Sequence, residues 1–495
     1  MIGDDEYRRI TKAANDYAYY DGYQHKHQAD DNYYVRADQV KRPAGLDYDP
    51  TRFRVNYFKS FIKRKAHWQF GGKHGINVKP RQIDPTVDRL KTDYEASAEQ
   101  LVENARAADY ESLLTQVWRD NNMHEKLLTA AQDRLIAGRV ACKIVFIPKT
   151  GRIKYVFHAD TETFPIYSDD DADELVACNF IKPIKFGDDD SIDYLRKQSF
   201  VLDDETGECF ISEGIYNGDA ELVKEITPKT SMGLDFIPVV LFAVDRVKGI
   251  TNEPMTELDD MREITDKLNA LNEDAIDSLK FEMFPINVFS GATPGDIAKL
   301  EIAPGATIAL KGDGNVSPTA SKLESGFNYT NSLKETYNRL KGSLHDITNV
   351  PSIVPQDLNF GGINSDTLQI MFHDIIQDTQ EHWLSWGAGL EELNEKTARY
   401  LQKRADAKTF KYNQEHVKGI GEHYDNEIKF VLPLPDNRSE LVELLMTEVS
   451  NGFESQKGAV TRLGTENPLV KVNEIEAEQR RSSERNREAT DPYNG

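Results

Sequence analysis

Several things are scarce or missing in this 495-residue chain, and each absence closes off a class of function. No apolar run is long enough to span a bilayer, and the opening MIGDDEYRRI has no apolar signal core, so the protein is expected to be made and used without secretion. The three cysteines, Cys142, Cys178 and Cys209, have neither the spacing of a zinc site nor the density of a disulfide scaffold, and are expected to be reduced. Basic charge is in deficit: 60 Lys and Arg stand against 83 Asp and Glu, for a net charge of −23. Tight nonspecific binding to DNA by counterion release needs clustered cations, so a chain this acidic is a poor candidate for it. A surface past which a polyanion slides is not excluded. Signatures of common chemistry are absent too. There is no G-x-x-x-x-G-K-[ST] phosphate loop, no G-x-S-x-G elbow and no H-E-x-x-H.

The remaining candidates for chemistry are weak. Asp169, Asp170, Asp171, Asp173 and Glu174 form an acidic run without the glycine and terminal glutamate of a calcium loop, and Asp188, Asp189 and Asp190 form a second. Both read as solvated turns, with no metal and no cofactor expected. His25 and His27 in a Tyr-rich segment, and His373 and His382 nine apart on a helix, read as solvated or capping side chains. Trp383 and Trp386 read as core.

Periodicity organises the chain. A short helix to about Tyr20 leads into a Tyr- and His-rich surface arm, and a helix over the 50s and 60s is stopped by Gly71-Gly72 before a strand at 75–78. Helical spacing runs from about 85 to 137, ended by Gly138. Short strands follow from 140 to about 227, the first two joined by a tight turn at 149–152. After a buried strand at 236–244, Leu258, Met261, Ile264, Leu268, Leu271, Ala275 and Leu279 form one apolar stripe on a helix ended by Pro285. Its other faces carry Asp259, Asp260, Glu263, Asp266, Glu273, Asp274 and Asp277. A Gly/Pro-punctuated, mostly β excursion occupies 286–326, and a second helix returns over 328–348. Pro351, Pro355 and Gly361-Gly362 break 349–364, and a long helix capped by Ser365 runs to about 404. A strand at 428–435, a helix from about 439, a shorter one at 455–463 and a mixed-charge tail expected to fray complete the chain. The class is α+β. A hairpin of two long helices with so little cover of its own is better explained by neighbours in a ring than by one globular core.

In order and spacing, four stretches resemble the portal proteins of tailed bacteriophages, particularly those of long-tailed phages of Gram-positive bacteria. They are VNYFKSFIKRKAHWQFGGKHGINV, the run from IPVVLFAVDRVKGITNEPMTELDDM to EMFP, HDITNVPSIVPQDLNFGGINSDTLQIMF, and LPLPDNRSELVELLMTEVSNGFESQKGAVTRL. The resemblance implies a portal-type fold: arm 1–53, α+β wing 54–250, stem helices 251–285 and 327–348, a small β-rich clip 286–326, and a channel loop 349–364. A long wing helix with return strand 365–435, a helical crown 436–470 and a charged tail 471–495 follow. It also implies no enzyme but a homo-oligomeric ring, usually a dodecamer, at one capsid vertex of the virion, assembled in the host cytoplasm. Its implied partners are the packaging ATPase (the large terminase subunit), major capsid and scaffolding proteins, a head-completion adaptor, and double-stranded DNA passing without sequence-specific contacts. No membrane is involved. Ser352, Gln356, Asp357, Asn359, Gly361 and Gly362 would form the channel loop, and the seven acids of the first stem helix an acidic channel wall. The arm does not match the family's shorter entry, and Ser365-Asp366 stands where relatives often have Ser-Gly. The rival readings are another oligomeric component of the phage head and a metal-dependent nuclease using the acid clusters.

Overall fold

The computed structural model describes residues 4–27, 30–41, 49–82, 93–168, 170, 174–185, 194–244, 256–283, 286–290, 319–323, 330–352, 369–421, 424–433, 438–465 and 468–490. Its contacts divide the chain into two units: 1–20, 59–260 and 348–495 in the first, and 21–58 with 261–347 in the second.

The first unit contains helix α1 (Asp4–Tyr20) and most of α2 (Tyr57–Phe70), followed by strand β3 (Gly75–Val78) and the helices α3 (Asp93–Asp120) and α4 (Met123–Ala137). The single helical stretch expected over 85–137 is therefore broken. Asn122 turns left-handed at φ 50°, a conformation that asparagine tolerates better than most residues. Gly138 ends α4 as expected, at φ 78° with its N–H on the Arg134 carbonyl at 2.7 Å. Strands β4 (Arg139–Ile147) and β5 (Arg152–Ala159) form the anticipated hairpin. Its turn is closed by the amides of Thr150 and Gly151 on the Ile147 carbonyl, and Gly151 sits at φ 65°.

Strand β11 (Val239–Ala243) joins them in an antiparallel sheet of order β11-β4-β5. A five-stranded meander contains β6 (Thr163–Tyr167), β7 (Leu175–Ile184), β8 (Tyr194–Leu202), β9 (Cys209–Tyr216) and β10 (Leu222–Ser231). The acidic joints fall outside the described residues apart from Asp170 and Glu174, which are exposed.

The core of this unit forms around the second long helix, α7 (His373–Arg404), which packs on β11 and on β14 (Asn426–Lys429), the antiparallel partner of β3. Trp386 is fully buried between Phe70 and Phe242, at ring separations of 4.9 and 4.7 Å, while the Arg134 guanidinium lies 4.9 Å over its ring. Trp383 stacks on Phe430 at 4.9 Å, so both tryptophans are core, as read from the sequence. Gly389 permits this packing, because a Cβ there would sit 2.6 Å from the Phe242 ring. Buried polar groups are paired across elements: Trp118 donates to Asn394, Asn394 to Asn426, and the Tyr155 hydroxyl meets Thr397, each at 2.9 Å.

Three sequence expectations need correction in this unit. The continuous helix α7 begins at His373 after a non-helical Phe372, while Ser365, its expected cap, lies outside the described residues. The strand expected over 428–435 is only Asn426–Lys429, since β3 offers four residues to pair with and Pro433 has no amide to donate. As far as Thr490 the tail is helical rather than frayed. Beyond α8 (Gln414–Gly419), α9 (Arg438–Ser450) and α10 (Gln456–Arg462), it is a helix, α11 (Pro468–Thr490). Its charges pair at helical spacing, Lys471 with Glu474 and Arg480 with Glu476, and support a helix whose half-buried residues Val470, Val472 and Ile475 are confined to its first turns.

The second unit holds the hairpin of β1 (His25–His27) and β2 (Asp30–Val35), an extended segment at 49–56, and α5 (Glu257–Met283) from Met261 onward. Strand β12 (Ile286–Ser290) and strand β13 (Thr319–Leu323) pair antiparallel, Ile286 opposite Leu323 and Ser290 opposite Thr319. Helix α6 (Thr330–Ile347) completes the unit. The excursion thus leaves and returns on one two-stranded ribbon, and 291–318 lies outside the described residues. Of the arm that the sequence set apart, residues from 21 onward belong to the same unit as α6 and most of α5, and the first twenty to the other unit.

Candidate functional site

The acids of α5 do not form one wall. The helix buries Met261, Thr265, Leu268, Asn269 and Glu273, and this face receives the extended segment of the arm. An extended chain advances about 6.6 Å per two residues and a helix about 6 Å per four, so alternate amides of one can meet side chains at i, i+4 and i+8 of the other. That match is realised here. The amide of Val55 donates to Asn269 Oδ1 at 2.8 Å, that of Phe53 to Glu273 Oε1 at 2.8 Å, and that of Thr51 to the Asp277 carboxylate at 3.0 Å. Asn269 Nδ2 returns a bond to the Val55 carbonyl at 3.3 Å, and Lys280 pairs with Asp277 at 3.2 Å.

Glu273 is the centre of this ladder. It is 7% exposed and faces His25 Nε2 at 3.0 Å, Arg54 at 3.6 Å and Arg52 at 3.7 Å. Burial alone would raise its pKa, but the bonds from His25 and the Phe53 amide, with the Arg54 charge, hold it below the usual carboxylate range. Asp277 behaves alike: burial opposes ionisation, and bonds from Thr51 and Lys280 outweigh it. His25 is therefore a buried partner of Glu273 and not the solvated side chain expected from the sequence. Replacing Glu273 with alanine removes charge-assisted bonds worth ~2 kcal/mol and leaves the cations of the arm facing one another. Hydrogen exchange at the amides of Thr51, Phe53 and Val55 should then accelerate by roughly 30-fold. Unchanged protection in that variant would mean that the ladder does not hold the arm.

The other acids of the helix divide. Thr256 and Asp259 cap its start reciprocally, each amide bonding the other residue at 3.1 Å, and Lys12 pairs with Asp259 at 2.7 Å. Asp266 is half-buried. Asp260, Glu263 and Asp274 are exposed.

A second ionic cluster lies in the first unit, where three chain segments meet. Lys65 of α2, only 3% exposed, donates to Glu257 at 2.7 Å and to Asp378 at 3.0 Å. His382 Nε2 stands 3.7 Å from Glu257 and 3.8 Å from Asp378, so it too is buried and partnered where the sequence suggested solvent. Burial would raise the pKa of Glu257; the Lys65 ammonium and His382 reverse this and hold it at about 2. Asn349, left-handed at φ 56°, donates to Asp378 at 3.3 Å and so fixes the start of the 349–364 segment. Ser352 is exposed there. Gln356, Asp357, Asn359, Gly361 and Gly362 lie outside the described residues.

Among the described residues no three His, Cys, Asp or Glu side chains gather as a metal site, and no helix is long and apolar enough to cross a membrane. The cysteines are buried, and burial pushes the Cys178 and Cys209 thiols up to about 12 and Cys142 higher still, which removes the thiolate needed for nucleophilic attack. In the second unit, the apolar stripe of α5 loses cover along its length. Met261 and Leu268 are buried, Ile264, Leu271 and Ala275 half-buried, and Leu279 is 48% exposed. Helix α6 does the same, with Leu344 buried but Leu333, Tyr337 and Leu340 only half-covered.

Comparison with known families gives one match that spans nearly the whole chain. A family model described as phage portal protein, SPP1 Gp6-like, matches residues 2–485. No curated protein matches.

Proposed function

The chain belongs to the SPP1 Gp6-like phage portal proteins, a structural family of the phage head, and from that membership we propose that it closes into a ring at one capsid vertex. In this reading double-stranded DNA enters and leaves through the ring, whose subunits, each of net charge −23, repel its phosphates rather than bind them. The observation that carries the ring is the incomplete cover of α5 and α6. Two amphipathic helices that leave Leu279 and half of their stripes open gain by burying them against further copies.

The excursion at 286–326 takes the docking of the packaging ATPase and of head-completion proteins, because a ribbon carrying a turn-rich insert can vary without disturbing the helices behind it. The segment at 349–364, fixed at one end by Asn349 on Asp378, faces the passing DNA.

Mass photometry with negative-stain microscopy tests the proposal. Closed rings with a central hole, many times the 56.2 kDa subunit, are expected, and a chain that stays single across salt and divalent-cation conditions would overturn it. A different oligomeric head component would assemble without that hole. A nuclease would cut plasmid DNA with Mg²⁺ or Mn²⁺.

A further inference from the structure

We propose that neighbouring copies in the ring are joined by charge, with the acidic face of α5 of one copy seated on the basic face of α6 of the next. This rests on the ring reading above and adds which surfaces meet. The α6 face lies in the second unit and so does the α5 face apart from Asp260, and both are exposed. On α5, Asp260, Glu263, Lys267 and Asp274 are all exposed and follow one another at helical steps, three carboxylates and one ammonium. On α6, Lys334, Asn338 and Lys341 are exposed at steps of four and three, beside the half-covered stripe of Leu333, Tyr337 and Leu340. The remaining cation of that helix, Arg339, lies on another edge with Glu335 and Asp346.

Opposite signs on two different helices are what a head-to-tail contact requires. A ring closed by rotation joins two unlike patches of the same subunit, and each copy then offers one of each. A two-fold pairing of either face with itself would instead set like charge against like. The inward acids of α5 are already consumed: Glu273 by His25, Arg52 and Arg54, and Asp277 by Thr51 and Lys280, so they do not compete for the lysines of a neighbour. Association by such faces is also steered at a distance, which helps a subunit of net charge −23 to find its neighbour in the right orientation. The apolar stripe beside the lysines is covered in the same step.

The experiment uses two full-length variants. In the first, Asp260→Lys and Asp274→Lys make the α5 face basic; in the second, Lys334→Glu and Lys341→Glu make the α6 face acidic. All four positions are exposed, and unchanged melting temperatures establish that each variant folds. Each variant alone should fail to form rings at 0.15 M salt, with assembly weakened by at least about 100-fold, because every joint then sets like charges together. Mixed in equal amounts, the two should co-assemble into alternating rings, since each basic α5 meets an acidic α6 and the reverse. The four substitutions placed in one chain should restore rings alone. Normal rings from either variant by itself would overturn the proposal. So would a mixture that stays unassembled, or an α6 variant that forms rings but no longer retains DNA, which would assign that face to the channel. If the unaltered protein forms no ring, the ring reading fails rather than the pairing of faces.

Discussion

Replacing Lys65 with methionine is expected to destabilise the first unit by about 3–5 kcal/mol, because the buried carboxylates of Glu257 and Asp378 then lose their ammonium and keep His382 and, at Asp378, the side-chain amide of Asn349. Methionine keeps the length of the stem, so the loss is mainly electrostatic and not a cavity. The pH dependence separates the two. Glu257 is held at about 2, below its ordinary 4.5, so in the parent protein it contributes stability that is complete above about 4.5 and lost as the pH falls toward 2. That contribution is about 3 kcal/mol. Without Lys65 the sign reverses: burial then favours the protonated acid, and acidification from pH 7 to 5 should recover part of the lost stability. Thermal unfolding across that range reads both effects. The triple variant with Glu257→Gln and Asp378→Asn added should regain most of the loss, since no charge is left unpaired. A Lys65 variant that melts like the parent at pH 7 would show that the cluster contributes nothing to the fold.

That cluster was not legible in the sequence, and the reason is distance along the chain. Lys65 and Asp378 are 313 residues apart, and His25 and Glu273 are 248 apart. Periodicity places each of them on a helix or in an arm but says nothing about which distant charge it will meet. His25 and His382 were therefore read as solvated when burial opposite acids is their state, whereas His373 is exposed as read.

What periodicity can see was seen. The stripe from Leu258 to Leu279 fixed the helix α5 to within a few residues, and Gly138 and the turn at 149–152 stopped and reversed the chain where expected. The arm's docking was missed because 49–56 has no period of its own. Its signal was on the helix, where Asn269, Glu273 and Asp277 fall at steps of four on one flank, with an asparagine in mid-helix that needs a partner once buried. The tail was misread for a different physical reason: beyond Ile475 the helix has no apolar face and so no hydrophobic period to detect, and paired charges such as Arg480 with Glu476 are what mark it.

Trp386→Ala is expected to be the most damaging single substitution in the core, at about 3–5 kcal/mol. The indole is wholly buried, edge-on to Phe70 at 4.9 Å and tilted against Phe242 at 4.7 Å, and its Nε1 donates to Gln69 at 3.2 Å. Its loss opens a cavity that the neighbours are poorly placed to fill. Phe242 is already held against Gly389, and Phe70 is fixed between the indole and the rings of His74 and Phe430. The second consequence is electrostatic. Arg134 is 1% exposed, donates to the Ala243 carbonyl at 2.6 Å and lies over the Trp386 ring, so removing that ring leaves a buried guanidinium with one face bare. Trp386→Phe keeps a ring beneath the cation and fills most of the volume, and should cost less than half as much. Denaturant unfolding of the two variants beside the parent measures the difference. Equal losses for alanine and phenylalanine would mean that the bond to Gln69, which both variants lack, carries the site, and that the ring stack around α7 does not.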